Sequence, residues 1–146
     1  IQLHFPADTL TLSAVENIIG MPAKYVETIK EVRPHVLRET TSYIALENDP
    51  RSLQAVNLYY LMENYDNVAQ AQKSFADIIS GNGGLSGQSA VTDLGDEAWL
   101  HSDKQNFSLL MVRKKNKLIR IKINKLPPSY SSKELVAASR KIIAAF

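Results

Sequence analysis

The residues best placed to make an interaction in this sequence are basic ones near its carboxyl-terminal end. Seven Lys and Arg residues fall within the thirteen positions 113–125. Such a density of cations can contact anionic lipid, polysaccharide or an acidic protein surface. No aromatic residue interleaves them, which disfavours nucleic acid as the partner. The candidate anionic-partner surface comprises Arg113, Lys114, Lys115, Lys117, Arg120, Lys122 and Lys125.

The charge distribution sharpens this candidate and also offers an alternative to it. Residues 1–103 carry six Lys and Arg against fourteen Asp and Glu, a net charge of −8, whereas residues 104–146 carry eleven against one, a net charge of +10. The basic residues could therefore form a functional surface. The pattern alone favours the alternative, a solvated strand face that discourages edge-to-edge pairing and is partly neutralised by the acidic part of the chain.

Catalytic chemistry has weaker support. There is no cysteine, no HExxH pattern and no Gly-x-Ser-x-Gly elbow. We therefore assign no catalytic, cofactor or metal residue, and expect His4, His35 and His101 to be ordinary histidines. If the protein is an enzyme, an acid–base site would have to be assembled from residues distant in sequence, and His101, Asp96 and Glu97 are the first places to look.

Several short motifs favour structural over functional roles. Gly95 to Ala98 predicts a tight corner in which Asp96 satisfies nearby amides and Ala98 packs. The glycine-rich run Ser80–Ala90 follows a helix, so we interpret it as a mobile connector and not a phosphate cradle. We expect Trp99 and one of the adjacent tyrosines at 59 and 60 to lie in the core. Four acids lack the spacing of a calcium loop: Asp93, Asp96, Glu97 and Asp103.

Three helices are expected to position these residues. The first spans about Leu12–Ile19, between a Thr11 cap and a stop at Gly20. The second spans about Asn67–Ile79, capped by Asp66, with Val68, Ala71, Phe75 and Ile78 inward. The last begins at the capping-box pair Ser131 and Glu134, and its inner stripe is Leu135, Ala138, Ile142 and Phe146.

The remaining apolar segments predict strands. They cover His35–Leu46, Ala55–Met62, Val91–Leu100, Phe107–Arg113 and Leu118–Lys125. The last two form a hairpin that turns near Lys115-Asn116, with Ile121 and Ile123 buried and Arg120 and Lys122 exposed. Residues 23–33 fit either a helix or a strand. The whole chain, 1–146, is predicted to be one α+β domain: an antiparallel sheet flanked by about three helices, in the order helix, strands, helix, three strands, helix.

Three segments carry a resemblance to a known group. They are Leu10–Gly20, Leu94-Gly95-Asp96-Glu97-Ala98, and Val112–Lys117 followed by a strand and an amphipathic helix. This arrangement resembles small secreted bacterial lipoprotein domains of unknown function in the PsbP-like α/β sandwich group. The resemblance implies a fold and a compartment, and supplies no catalytic residues.

The predicted function is a non-enzymatic cell-envelope domain that binds or scaffolds a partner. The first residue is Ile1, so a signal peptide or lipid anchor upstream is expected, with a secreted or periplasmic location. No apolar run approaches the roughly 20 residues of a membrane-spanning helix.

Overall fold

One antiparallel sheet of seven strands organises the chain, and the computed structural model describes residues 10–146 of it. The strand order is β1-β2-β3-β7-β6-β5-β4. The predicted α+β class and the order of its elements are confirmed. In chain order the elements are α1 (Leu12–Ile19), β1 (Ala23–Arg33), β2 (Val36–Ala45), β3 (Asn57–Tyr65), α2 (Val68–Gly81), β4 (Gln88–Ala90), β5 (Glu97–Ser102), β6 (Phe107–Lys114), β7 (Lys117–Asn124) and α3 (Ser132–Ile143).

Helices cover both faces of the sheet, so the domain has three layers. Side chains alternate along a strand, and β7 shows the consequence: Ile119, Ile121 and Ile123 are fully buried in the core cluster that includes residues of α1 and α3. Leu118 points the other way, into a smaller cluster with Phe75 of α2. We call these sides the α1/α3 face and the α2 face.

The caps of α1 and α3 agree with the sequence. The Thr11 side chain accepts a hydrogen bond from the Ala14 amide, and the Ser131 side chain accepts one from Glu134. Gly20 ends α1 with φ 68°, and a Cβ there would overlap Ser129. Phe146 lies beyond the end of α3, where its ring contacts Lys117.

The start of α2 corrects one prediction. Asn67, and not Asp66, caps the helix, because the Asn67 side chain accepts from the Gln70 amide at 2.9 Å. Asp66 instead contacts His35 Nδ1 at 2.8 Å. Val68 is 42% exposed, so the inward stripe of α2 begins at Ala71.

The segment before β5 corrects a second one. Residues 91–96 were expected to belong to a strand, but Asp93 and Gly95 adopt φ values of 57° and 61°. Because these angles are incompatible with extended backbone, β5 starts only at Glu97. A short additional strand, β4, pairs with β5 instead.

The glycine-rich connector is shorter than expected. Helix α2 continues to Gly81, and β4 begins at Gln88, so both ends of Ser80–Ala90 belong to regular structure. The Gln88 side chain donates to the carbonyl oxygens of Asn82 and Leu85, at 2.6 and 2.8 Å. These bonds close the connector on itself, while its mobility remains a prediction.

The ambiguous stretch 23–33 is the edge strand β1. It pairs with β2, and a bulge at Val26 interrupts the pairing between Tyr25 and Glu27. Only Ala23 is buried and Glu31 half-buried; every other residue of β1 is exposed. Strand β1 is therefore almost wholly uncovered.

Candidate functional site

Arg113 of the candidate surface belongs to an internal anchor. It is 6% exposed, and its guanidinium meets Glu97 Oε2 and, at 3.4 Å, Asp96 Oδ2. It also donates to the Lys115 carbonyl oxygen at 2.9 Å, while the Lys115 amide donates to Asp96 at 2.7 Å. These contacts hold the β6–β7 turn, where Lys115 has a φ of 55°.

The corner at Gly95 has the structural role that its sequence predicted. A Cβ on Gly95 would lie 2.7 Å from both the Arg113 carbonyl oxygen and the Val112 side chain. Ala98 is 6% exposed, in the core. The close approach and the left-handed backbone both require glycine here.

Arg120 is also used internally, which corrects the expectation that it is exposed. Glu63 is 1% exposed and lies between two arginines: Arg120 Nη2 donates to Oε1 at 2.7 Å, and Arg38 donates to Oε2 at 2.7 and 3.1 Å. The Arg120 side chain is only 23% exposed. A buried carboxylate of this kind needs such partners, because an unpaired one would be costly.

The five remaining candidates are lysines, and they do not form one surface. Lys122 is exposed on the α2 face, opposite Tyr59, and Lys125 lies at the far end of β7. Lys114, Lys115 and Lys117 gather around the β6–β7 turn. The structure therefore divides the candidate surface into an internal pair of arginines, two separate lysines and one cluster of three.

This cluster lies against the end of α3. Lys114 Nζ is 3.4 Å from the Ile143 carbonyl oxygen, and Lys117 Nζ is 4.8 Å from the centre of the Phe146 ring. Lys141, exposed, lies in the same last turn of α3. We call Lys114, Lys115, Lys117 and Lys141 the basic end. Among residues 10–146, no carboxylate lies within 4.0 Å of any of these four ammonium groups.

Strand pairing places exposed apolar side chains in line with the basic end. Residues directly opposite each other in adjacent strands share a face. One such row crosses five strands at their ends, and we call it the tip row: Val32, Leu37, Asn64, Lys117 and Lys114. Val32 is 85% exposed and Leu37 is 55% exposed.

The sequence did not reveal the tip row, because it depends on pairing between distant strands. Val32 came from the segment that fitted a helix or a strand equally well. The signal that could have found it is the accumulation of apolar residues in a short segment rich in charges.

The alternative acid–base residues do not converge. His101 and Glu97 lie on the same strand face with Trp99 between them, about 13 Å apart along the strand. His101 is 7% exposed, its Nε2 is 3.1 Å from the Ser86 carbonyl oxygen, and its ring packs between Trp99 and Phe107. Asp96 and Glu97 are occupied by Arg113.

The other candidates have local partners. Asp103 closes the β5–β6 turn: desolvation tends to raise its pKa, but the amides of Gln105, Asn106 and Phe107 and the Asn106 side chain donate to it and hold the pKa far below the usual value. His35 contacts Asp66, and His4 lies outside the described residues. Within the described chain, no three His, Cys, Asp or Glu side chains come together in a way that could hold a metal ion.

An open depression of about 400 Å³ lies beside α2. Four of its polar groups contact one another in pairs: the Tyr65 hydroxyl donates to Ser74 at 2.7 Å, and Lys73 pairs with Asp77 at 2.7 Å. Gln70 Oε1 is buried and has no hydrogen-bond partner in the described part of the chain. Burial is the main reason that the pKa of Tyr65 lies above its ordinary value. None of the acid–base candidates lines this depression, whose residues are His35, Tyr65, Gln70, Lys73, Ser74, Asp77 and Ile78.

Comparisons with known proteins found no relative of this chain. In residues 10–146, no helix is both long enough and apolar enough to cross a bilayer. No protein-family model matches the chain, and neither the curated proteins nor the solved structures contain a match.

Proposed function

We propose that this domain is a non-enzymatic binding module that attaches to an anionic partner through the basic end. One observation carries the proposal. Arg120 is bound to the buried Glu63, and Arg113 to Glu97 and Asp96, whereas the four lysines of the basic end have no carboxylate within 4.0 Å in the described chain. Their charge is therefore available to a partner outside the molecule.

The support beneath these lysines favours binding over a loosely solvated surface. Asp96 and Arg113 fix the turn that carries Lys115. Lys114 and Lys117 pair across the hairpin, so their side chains leave the sheet on the same face. Because the backbone is already ordered, binding would restrict mainly the lysine side chains.

A cell-envelope location, with secretion and a lipid anchor upstream, is part of the same proposal. Its support is the similarity of the Leu10–Gly20, Leu94–Ala98 and Val112–Lys117 segments to secreted lipoprotein domains of the PsbP-like group. An anionic membrane surface or an acidic polysaccharide would be within reach of a domain in that compartment.

The test replaces Lys114, Lys115 and Lys117 by glutamine and measures binding to heparin and to vesicles containing an anionic lipid. At roughly 1 kcal/mol per lysine near an anionic surface, we expect the triple variant to bind roughly a hundredfold more weakly, and the wild-type affinity to fall steeply as salt increases.

The control replaces three lysines elsewhere, Lys24, Lys104 and Lys133, which are exposed, whereas Lys114 and Lys117 are half-buried. It makes the same change in net charge, so a specific basic end predicts a much smaller loss. Equal losses in the two triple variants, or no wild-type binding at low ionic strength, would show that the basic end is not the site.

A further inference from the structure

We infer that the anionic partner is a lipid bilayer, and that Val32 and Leu37 enter its interface while the lysines of the basic end contact the headgroups. The inference rests on the proposed function and specifies its partner. It depends on the tip row, in which apolar and cationic side chains leave the same face of the sheet at the same end of five strands.

The apolar half of the tip row is unusually open. Val32 and Leu37 are direct cross-strand partners, so their side chains form one exposed apolar pair. An exposed apolar surface next to cations is typical of proteins that bind at membrane interfaces, where both contributions add.

Most charges around this pair are paired with each other, but the exposed carboxylate of Asp66, which contacts Nδ1 of His35 in the β1–β2 turn at 2.8 Å, would face an anionic bilayer. Lys30 pairs with Glu39 at 3.3 Å, and Arg33 pairs with Glu31 at 2.6 Å. Both pairs are locally neutral. The tip row itself contains no carboxylate, because its middle residue is Asn64, which accepts a hydrogen bond from Asn116 at 2.9 Å.

The length of the tip row is within the reach of one patch of bilayer. Four strand spacings of about 4.8 Å separate Val32 from Lys114, so the tip row is about 19 Å long. Lysine side chains can reach the phosphate level while the apolar pair lies deeper. A soluble polyanion would use only the lysines and would leave Val32 and Leu37 in water.

The first experiment separates the bilayer from a soluble partner. Val32→Thr with Leu37→Thr places β-branched threonine, which suits a strand, at both positions and removes the apolar pair. With phosphatidylcholine vesicles containing roughly one third phosphatidylglycerol, we expect the affinity to fall roughly tenfold or more, whereas heparin affinity stays unchanged. The control, Leu46→Thr with Leu85→Thr, removes two side chains that are 59% and 57% exposed elsewhere, and should change neither.

A second measurement locates the apolar pair directly. The chain has no cysteine, so Val32→Cys gives a single site for an environment-sensitive fluorophore, and Leu46→Cys gives the control just beyond the carboxyl-terminal end of β2. We expect a blue shift, and quenching by brominated lipid, for the label at position 32 with the anionic vesicles. The label at position 46 should show neither.

The outcomes distinguish this inference from the proposed function. If heparin and vesicles both bind, but the Thr variant behaves like the wild type and the label at position 32 stays in water, membrane entry is wrong and the lysine surface stands. If the Thr variant loses heparin affinity as well, the apolar pair serves a soluble partner and membrane entry is again wrong. If neither probe binds the wild type at low salt, both proposals fail.

Discussion

The β1–β2 and β6–β7 hairpins have similar turns but differ in how much of the rest of the protein covers them. Each is joined by two residues, and in each turn a non-glycine residue has a positive φ: His35 at 70° and Lys115 at 55°. The β6–β7 hairpin lies inside the sheet with helices on both faces, whereas β1 is an edge strand that is almost wholly exposed. The comparison shows that one local geometry can support a core or present a surface, depending on its neighbours.

The largest expected effect tests this difference with one substitution made in both hairpins. Ile121→Ala removes a fully buried side chain and should lower the free energy of unfolding by about 2–5 kcal/mol, because it leaves a cavity. Ile29→Ala removes a side chain that is 48% exposed and should cost less than about 1 kcal/mol. Urea melts of the two variants measure both values. Equal losses would mean that β1 is covered in solution.

A second prediction concerns Glu63, which joins the covered half of the sheet to the open one. Glu63→Gln removes the negative charge between Arg38 and Arg120, and should cost about 3 kcal/mol because two partly buried cations lose their counter-charge. The control Glu39→Gln acts on an exposed ion pair and should cost less than about 0.5 kcal/mol. Similar thermal melting of the two variants would contradict the internal role assigned to Arg120.

The smallest effect concerns the β5–β6 turn in the covered half. The pKa of Asp103 is lowered in the folded state, so its contribution to stability is present above the unfolded pKa of about 4 and is lost as the pH falls below it. Asp103→Asn should cost about 1 kcal/mol at neutral pH. Its deficit relative to the wild type should shrink in urea melts at about pH 3. A stability deficit of Asp103→Asn that is independent of pH would contradict this assignment. Asp77→Asn, on the exposed side of α2, serves as the control.

The features that could be predicted from the sequence are those that depend on side-chain alternation and on helix capping. The isoleucines of β7, the Thr11 and Ser131 caps and the Gly95 corner follow from local patterns, and each is confirmed. Local patterns could not show that Arg120 meets a carboxylate 57 positions earlier in the chain. Only the strand order brings these two residues together, so the basic segment looked uniform in sequence and is divided in the structure.

The same limit applies to the open hairpin. The apolar residues of 23–33 are compatible with two periodicities, and neither periodicity predicts how much of a segment remains uncovered. The position of β1 at the edge of the sheet determines that exposure, and it is a property of the whole topology. The apolar residues of the tip row, Val32 and Leu37, were therefore beyond local reasoning, whereas its lysines were not.

The bulge at Val26 has a consequence for the behaviour of the protein at high concentration. A long, regular edge strand is a template on which identical chains can stack into fibrils. The bulge breaks β1 into two short segments whose side-chain alternation is out of phase, so a single incoming strand cannot continue in register from Lys24 to Arg33. The uninterrupted segment 27–33 is also rich in charge, with Glu27, Lys30, Glu31 and Arg33. The one-residue bulge thus leaves the apolar β1–β2 hairpin accessible to a partner. It also makes the edge strand a poor template for fibril formation.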